Sequence, residues 1–513
     1  MESGGTDHES EAGPMQRMTG IDPMFVYSET AVTPMEVAYT CVFDPTTAPG
    51  GYSFDAVRCM LADRVPTLTP FRRRLMEVPF GLDAPRWVDD PDFDLDNHLY
   101  RAALPEPGGA AELSSLVAEV MGRPLDPVQP PWEMHVVEGL ADGKVGLIAK
   151  VHHSVIDGVA GVQLMAQLLD FSPEGRPVAS GRPPWLPPAL PSAVQLVTHA
   201  IPSLFASPVR AVQAAREVGR TAVRLARRAL DGDSEPISIP LGAPTTFETQ
   251  VGAARSVSFA QLNLPEIRQL KQRFGVTIND VVLAVCSGAL REHLVRLDEE
   301  VIDPLVAVVP ISVRDPAADD DLGNRLSAMF LPLANDVDRP LDRLRAIAAS
   351  SASAKAQERA VGYGPMATAV SEAVPPALAK PVIRLGLQSG ALRRLRAGNL
   401  MVSNVPGPDF SLYFAGMRME AAYPLGPVID GVALNITVQS YGDDMFVGIN
   451  ACAAAVPDLP ALARSMVAEL AQLIEAAASE APDEQPLPYD RMGSIERLAR
   501  AAQAREGALG QAS

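Results

Sequence analysis

Two adjacent histidines, His152 and His153, are followed closely by Asp157 and then Gly158. A neutral imidazole can take a proton from a hydroxyl near pH 7. A carboxylate at this spacing can order the loop by pairing with an arginine elsewhere, and glycine permits a turn or a close backbone approach. The pattern indicates general-base chemistry on a hydroxyl. The alternative is that the histidine pair is structural.

The histidines end a short apolar and β-branched run at 145–151, which is typical of a buried strand. A helix is predicted at 159–170, so the pair lies at a strand-to-loop junction. Successive strand residues point to opposite faces. If the strand continues through the pair, the two rings cannot face the same way, and the pattern leaves open which one faces a cavity.

The elements around this strand indicate a lobe at 19–172. The second strand of a hairpin through Asp142-Gly143 carries the histidines. The other elements predicted here are strands at 35–44 and 133–140, and helices at 53–62 (capped by Ser53) and 111–121.

The acidic and aromatic stretch 87–106 is predicted to be irregular. His98 lies within it. We interpret His98 as an edge or surface histidine rather than a catalytic one.

The composition changes at 173–250, where proline is dense near both ends of the segment. We predict that these residues form a crossover linker between two lobes. Between these ends, 209–230 is a predicted amphipathic helix. Its arginines share one arc: Arg210, Arg216, Arg220, Arg224, Arg227 and Arg228. A basic helix in an acidic chain suggests contact with an anionic membrane or lipid surface. The alternative, equally open, is a helix packed on the body with its arginines solvated.

A second lobe is predicted at 251–480. Asn279 lies at the start of a helix, where Thr277 and Asp280 could form a capping box that explains the segment without a ligand. Arg314 ends an apolar strand at 305–313, which makes it a candidate partner for Asp157; the alternative is a surface arginine that begins a loop. Strands at 432–440 and 445–450 form a predicted hairpin, and a last helix is expected at 459–478.

Composition narrows the classes of protein. The 513 residues are 47% hydrophobic, enough for two sizeable cores, and the net charge of −19 argues against nucleic-acid binding. The four cysteines have no metal-ligand spacing, which favours a reducing cytosol and no metal site. We expect no secretory signal, no membrane span, a disordered tail at 1–18 and a polar tail at 481–513.

Several ordered blocks resemble the bacterial wax ester synthase/diacylglycerol acyltransferase family. They extend over roughly 19–478. The blocks are HHSVIDG at 152, PLDPVQPPWEMH at 124, the acidic segment 87–104, NDVVLAVCSGALR at 279, VPISVR at 309, SNVPGP at 403 and LNITVQSY at 434. Pro130-Pro131 replaces the commoner Pro-Leu before Trp132, and Met24-Phe25 is a weaker match.

This resemblance implies an α/β protein with two chloramphenicol-acetyltransferase-like lobes, mixed sheets and an active-site tunnel between them. It also implies transfer of a long-chain acyl group from acyl-CoA to diacylglycerol, a long-chain alcohol, or both, with no cofactor. His153 is then the general base and His152 helps to shape the pocket. Asp157 becomes a structural residue that pairs with an arginine, for which Arg314 is the candidate, while Gly158 and Asn279 contact substrate.

Transfer is expected to be direct, because no serine or cysteine has a nucleophile motif such as G-x-S-x-G. Two alternative interpretations of the function remain. One is a polyketide-associated or condensation-type acyltransferase that uses carrier-bound acyl groups. The other is a catalytically weak scaffold on lipid droplets. The chain is expected in the cytoplasm, peripherally bound to the inner membrane face or to droplets.

Overall fold

A computed structural model describes residues 15–155, 161, 167–176, 188–230, 240–299, 303–312, 326–390, 394 and 398–480. Three of the candidate site residues lie outside these ranges: Asp157, Gly158 and Arg314. Most of the helix predicted at 159–170 also lies outside them. The expected tail at 1–18 is too long, because a strand begins at Met15 and pairs with a neighbouring strand.

The described strands are β1 (Met15–Arg17), β2 (Glu36–Asp44), β3 (Arg73–Met76), β4 (Arg86–Asp89), β5 (Leu99–Ala103), β6 (Trp132–Glu138), β7 (Val145–His152), β8 (Arg255–Asn263), β9 (Val306–Ser312), β10 (Leu326–Pro332), β11 (Leu400–Val405), β12 (Tyr413–Phe414), β13 (Met417–Leu425), β14 (Leu434–Tyr441) and β15 (Asp444–Cys452).

The described α-helices are α1 (Asp22–Ser28), α2 (Phe54–Arg64), α3 (Thr69–Arg72), α4 (Ala110–Gly122), α5 (Ala193–Leu230), α6 (Leu264–Phe274), α7 (Ile278–Arg296), α8 (Pro340–Val361), α9 (Tyr363–Ala373), α10 (Pro376–Gln388) and α11 (Leu459–Ser479).

The first lobe is built on a six-stranded sheet in the order β12-β13-β2-β7-β6-β5. Strands β5 and β6 run parallel and the other neighbours run antiparallel, so the sheet is mixed. All eight residues of β7 are buried, because the strand has a partner on each side and covered faces. This is why its sequence is almost continuously apolar.

Two strands of this sheet come from the second half of the chain. β13 pairs antiparallel with β2, from Arg418 opposite Asp44 to Leu425 opposite Ala38, and β12 pairs with β13. A division of the chain at 251 therefore does not separate the two sheets. The crossing places Phe414 and other apolar side chains of the returning segment in the first-lobe core.

The second lobe is built on a six-stranded mixed sheet in the order β10-β9-β11-β14-β15-β8. Its hairpin β14–β15 confirms the one predicted from sequence, with Tyr441 opposite Asp444. Helices α7 and α11 pack together and bury their apolar residues in the core of this lobe. Helix α4 joins the lobes, since its Val117 shares a hydrophobic cluster with Val257 of β8.

Two local predictions are wrong. The segment 87–106 contains β5 and most of β4, because its aromatic and apolar residues pair with neighbouring strands. Helix α5 begins at Ala193 rather than near 209, and it runs through Pro202 and Pro208. Proline lacks a donor and normally breaks a helix, which is why sequence favours the later start.

Candidate active site

The histidine pair is held by backbone hydrogen bonds on both sides. Strand β7 ends at His152, and His153 is the first residue of the following turn. The His152 amide donates to the Pro131 carbonyl (3.0 Å), and the His153 amide donates to the Met35 carbonyl (2.8 Å). These acceptors precede β6 and β2, so the two strands beside β7 position the pair.

His152 is buried and held by polar groups. Its Nδ1 accepts the Ser154 amide N–H at 3.1 Å and lies 2.7 Å from the Ser154 hydroxyl. An imidazole nitrogen that accepts an N–H carries no proton, so the proton of the neutral ring is on Nε2. That atom lies 3.5 Å from Glu29 Oε2. Ser154 therefore sets the orientation of this ring from its Nδ1 edge.

His153 has a different environment, because it lines a cavity between the lobes. Its ring stacks on Phe25 of α1, with centroids 4.3 Å apart and planes inclined by 4°. The stack covers one face of the imidazole. Hydrogen bonds to ring nitrogens lie in the ring plane, so Phe25 can set the plane without occupying the position of a substrate hydroxyl.

The cavity has a volume of about 430 Å³ and walls from both sheets. On the first-lobe side it is lined by 37–39 of β2. On the other side it is lined by residues of β9, β11 and β14, including Met401 and Thr437. Most of the lining is apolar and a few polar side chains interrupt it. Such a surface suits an acyl or alkyl chain that carries one polar reacting group.

Asn279 lines the same cavity, while its neighbours cap the helix. The Thr277 hydroxyl accepts the Asp280 amide N–H (3.2 Å), and Asp280 Oδ2 accepts the Thr277 amide N–H (2.9 Å). The capping box predicted from sequence is confirmed. It accounts for Thr277 and Asp280 and does not account for Asn279.

His98 is not a surface histidine as predicted. It is 2% exposed, its Nδ1 lies 2.8 Å from the Trp132 carbonyl oxygen, and its ring stacks on Trp132 with centroids 4.4 Å apart. Burial lowers the pKa of this imidazole. Pairing of β5 with β6 brings the two rings together, an interaction that local patterning does not reveal.

A buried charged cluster lies on the His152 face of the sheet and was missed by sequence reasoning. Lys150 is fully buried, and its Nζ lies 2.8 Å from Glu36 Oε2 and 3.4 Å from Glu133 Oε1, and donates to the Val120 carbonyl (2.9 Å). Burial raises the pKa of the Glu36 carboxyl, and the Lys150 ammonium opposes the shift. Lysine in an otherwise apolar strand, two residues before His152, was the available signal.

Phe25, Glu29 and Asn404 were also missed as site residues. Phe25 and Glu29 are four residues apart and meet the two adjacent histidines, so one short segment contacts both. Asn404 lines the cavity at the end of β11, within the SNVPGP block. The weak match at Met24-Phe25 was the only sequence signal for the first of them.

Within the described part of the chain, no group of three or more His, Cys, Asp or Glu side chains could hold a metal ion. No single described helix is both long and apolar enough to cross a membrane. The pair α6 and α7 passes that test together by length and composition, with a bend of 108° between the helices.

Two mixed sheets with a histidine-lined cavity between them define a two-lobed acyltransferase fold of the chloramphenicol-acetyltransferase-like class. The catalytic-domain model of the wax ester synthase/diacylglycerol acyltransferase family matches residues 18–282, and the C-terminal domain model of that family matches 322–474. The chain belongs to this family and is an acyltransferase. The predictions of family, fold class and enzyme class are confirmed.

Relatives and solved structures agree with this assignment. A Mycobacterium tuberculosis protein named as a diacylglycerol O-acyltransferase is 36% identical over 486 residues, covering 92% of each chain. The wax ester synthase/diacylglycerol acyltransferase from Marinobacter aquaeolei has a similar structure (TM-score 0.64, 27% identity, 90% of this chain and 100% of that one). A condensation domain of a calcium-dependent antibiotic synthetase shares the fold at 15% identity (TM-score 0.56, 92% and 99%).

Proposed function

We propose that this acyltransferase moves a long-chain acyl group from acyl-CoA to the hydroxyl of diacylglycerol or a long-chain alcohol. The observation that carries the proposal is that His153, and not His152, lines the apolar cavity between the lobes. Relatives named as diacylglycerol O-acyltransferases and a similar wax ester synthase structure support this choice of acceptors.

In the proposed reaction the His153 ring accepts the acceptor's hydroxyl proton. The resulting oxygen nucleophile attacks the thioester carbonyl, the ester C–O bond forms, and the C–S bond breaks. CoA leaves as a thiolate, which takes up the proton from the imidazolium. Proton, acyl group and leaving group therefore balance without a covalent enzyme intermediate. Asn279 and Asn404 supply side-chain amides for the substrate oxygens, because both line the cavity.

His152 has a positioning role in this proposal. Its ring is fixed by Ser154 and faces Glu29, and it anchors the strand end from which His153 projects. Asp157 is assigned a structural role through an ion pair with Arg314, and Gly158 allows close approach of the backbone to substrate.

A matched pair of variants tests the base. His153→Gln and His152→Gln make the same change at adjacent positions. We expect His153→Gln to lower kcat by about 10²–10⁴-fold with radiolabelled acyl-CoA and diacylglycerol, while thermal stability is kept. We expect His152→Gln to lower stability as well, because its ring is buried and hydrogen-bonded. Wild-type turnover by folded His153→Gln would overturn the assignment.

We also propose that the protein acts in the cytoplasm, peripherally attached to the inner membrane face or to lipid droplets. The proposed acceptors are insoluble in water, so an enzyme that uses them must meet a lipid surface. Fractionation of cells that express the chain tests this. Recovery of the active protein entirely in the soluble fraction, with none on membranes or droplets, would contradict it.

A further inference from the structure

Exposed apolar side chains are concentrated on one part of the molecule. Among the described residues, most of the large apolar side chains that are exposed lie on α5, α9 with its C-terminal end, α10, and the turn Pro79–Gly81. The most exposed include Phe80 (87%), Phe205 (79%) and Val382 (68%). A soluble monomer rarely leaves such a concentration uncovered, and it usually marks a binding surface.

Helix α5 is amphipathic, and an apolar stripe on its outer side is exposed to solvent. Its buried described residues are Leu196, Ala200, Ala214 and Thr221, which mark the inner side. Counting about 100° per residue, Ile201, Phe205 and Val212 lie on the opposite side. The helix therefore packs on the body mainly through small residues and presents most of its larger apolar side chains outward.

Helix α10 is still less covered, since none of its described side chains is buried. Leu378, Val382 and Leu385 follow one another at helical spacing and are exposed. The turn Pro79–Gly81 contacts both α5 and α10, so Phe80 lies between the two helices. We name the outer sides of α5 and α10 together with Phe80 the docking face.

The two helices that supply the docking face carry a positive charge, opposite to that of the whole chain. Helices α5 and α10 together contain seven arginines, one lysine and one glutamate, whereas the chain has a net charge of −19. Arg216 and Arg220 are exposed beside the apolar stripe. Apolar side chains bordered by arginines are what a helix lying in an anionic membrane interface requires.

We propose that the docking face seats the enzyme on an anionic lipid surface and that diacylglycerol is taken up from this side. This inference rests on the proposed function for the identity of the acceptor. Helix α10 contacts α1, and α1 carries the Phe25 ring that stacks on His153. The docking face is thus linked to the proposed base through two packed helices, α10 and α1.

Vesicle flotation tests the surface. The triple variant Phe80→Ser, Phe205→Ser and Val382→Ser changes three exposed residues of the docking face. The control triple Val128→Ser, Val295→Ser and Val467→Ser changes three exposed residues outside it. We expect the first to bind phosphatidylcholine–phosphatidylglycerol vesicles at least about tenfold more weakly than wild type. We expect the control to bind as wild type does.

A charge variant and a size measurement complete the test. Arg216→Gln with Arg220→Gln is expected to weaken binding when phosphatidylglycerol is present and to leave binding to pure phosphatidylcholine unchanged. Wild-type binding by the docking-face triple overturns the proposal. So does a wild-type dimer that the triple converts to a monomer while vesicle binding is retained, because a second copy then covers the face.

Failure of this inference is distinguishable from failure of the proposed function. The docking-face triple is expected to keep wild-type turnover with acyl-CoA and a short water-soluble alcohol, and to lose turnover with diacylglycerol in vesicles. No turnover by wild type with either acceptor contradicts the proposed function instead. Equal losses with both acceptors contradict the docking role.

Discussion

Phe25 and His153 stack face to face, with ring centroids 4.3 Å apart and planes inclined by 4°. The pair joins a helix near the start of the chain to the turn after a central strand. The stack covers a face of the imidazole rather than its edge, and it restricts rotation of the ring. In proton transfer, small errors of position cost large factors in rate. We therefore expect the rate of proton transfer to depend on how firmly the fold holds the His153 ring in its plane.

Phe25→Ala is expected to lower kcat by about tenfold or more, with little change in the KM of the acceptor, because the base loses its fixed ring plane. Phe25→Tyr keeps the stack and is expected to retain activity. Steady-state kinetics with acyl-CoA and diacylglycerol measures both. Phe93→Ala, which removes an aromatic ring from buried His98, controls for general loss of packing. A kcat loss as large in Phe93→Ala would remove the special role of Phe25.

Asn279 and Thr277 are expected to respond differently to alanine. Asn279→Ala removes a cavity amide and is expected to lower kcat/KM by about 10-fold or more while leaving stability unchanged. Thr277→Ala removes the helix cap and is expected to cost about 1 kcal/mol of stability with activity retained. Urea unfolding and kinetics on both variants measure this. The assignment fails if Asn279→Ala unfolds early with a normal rate per folded molecule.

The buried Lys150–Glu36 pair predicts a compensating double substitution. Lys150→Met leaves the buried Glu36 carboxylate without its 2.8 Å partner, and we expect a loss of about 3–5 kcal/mol in the free energy of unfolding. Adding Glu36→Gln removes that charge and is expected to restore much of the loss. Denaturant unfolding of wild type, both single variants and the double variant measures the coupling. Simple additivity would show that the pair is not coupled.

His98 predicts loss of stability in acid. Burial lowers its pKa below the ordinary value of 6.5, so the unfolded chain binds a proton more readily than the folded one. The contribution of His98 to the free energy of unfolding is therefore fully present above about pH 6.5. It is lost as the pH falls from there towards the lowered pKa. His98→Phe keeps an aromatic ring and removes the titration. Its melting temperature should depend less on pH between 7 and 5, and an unchanged dependence would contradict the assignment.

Substitution of Asp157 tests whether the acidic residue of the histidine motif has a structural role. Asp157→Asn removes the charge that is proposed to pair with Arg314, and it is expected to lower the melting temperature along with activity. Arg314→Gln should give a similar loss, and the double variant should lose little more than either single variant. Differential scanning calorimetry measures all three. A normal melting temperature in Asp157→Asn with lost turnover would indicate a direct chemical role.

Local sequence patterns were sufficient to predict many of the helices and strands. The apolar run ending at His152 predicted β7, Ser53 predicted the start of α2, and Thr277 with Asp280 predicted the start of α7. These signals work because strand alternation and helix capping depend on residues close together in sequence. His98 was misjudged because its partners, Phe93 and Trp132, meet it only after the strands pair.

The sequence by itself determined the family, the α/β class with two lobes, and the histidine motif, because ordered blocks of residue types survive as patterns along the chain. Only the tertiary structure decided that His153 lines the cavity while His152 is buried, because this depends on where β7 stops pairing. It also decided that β13 crosses into the first sheet and that Phe25 covers His153. Such contacts join residues far apart in sequence, and packing alone brings them together.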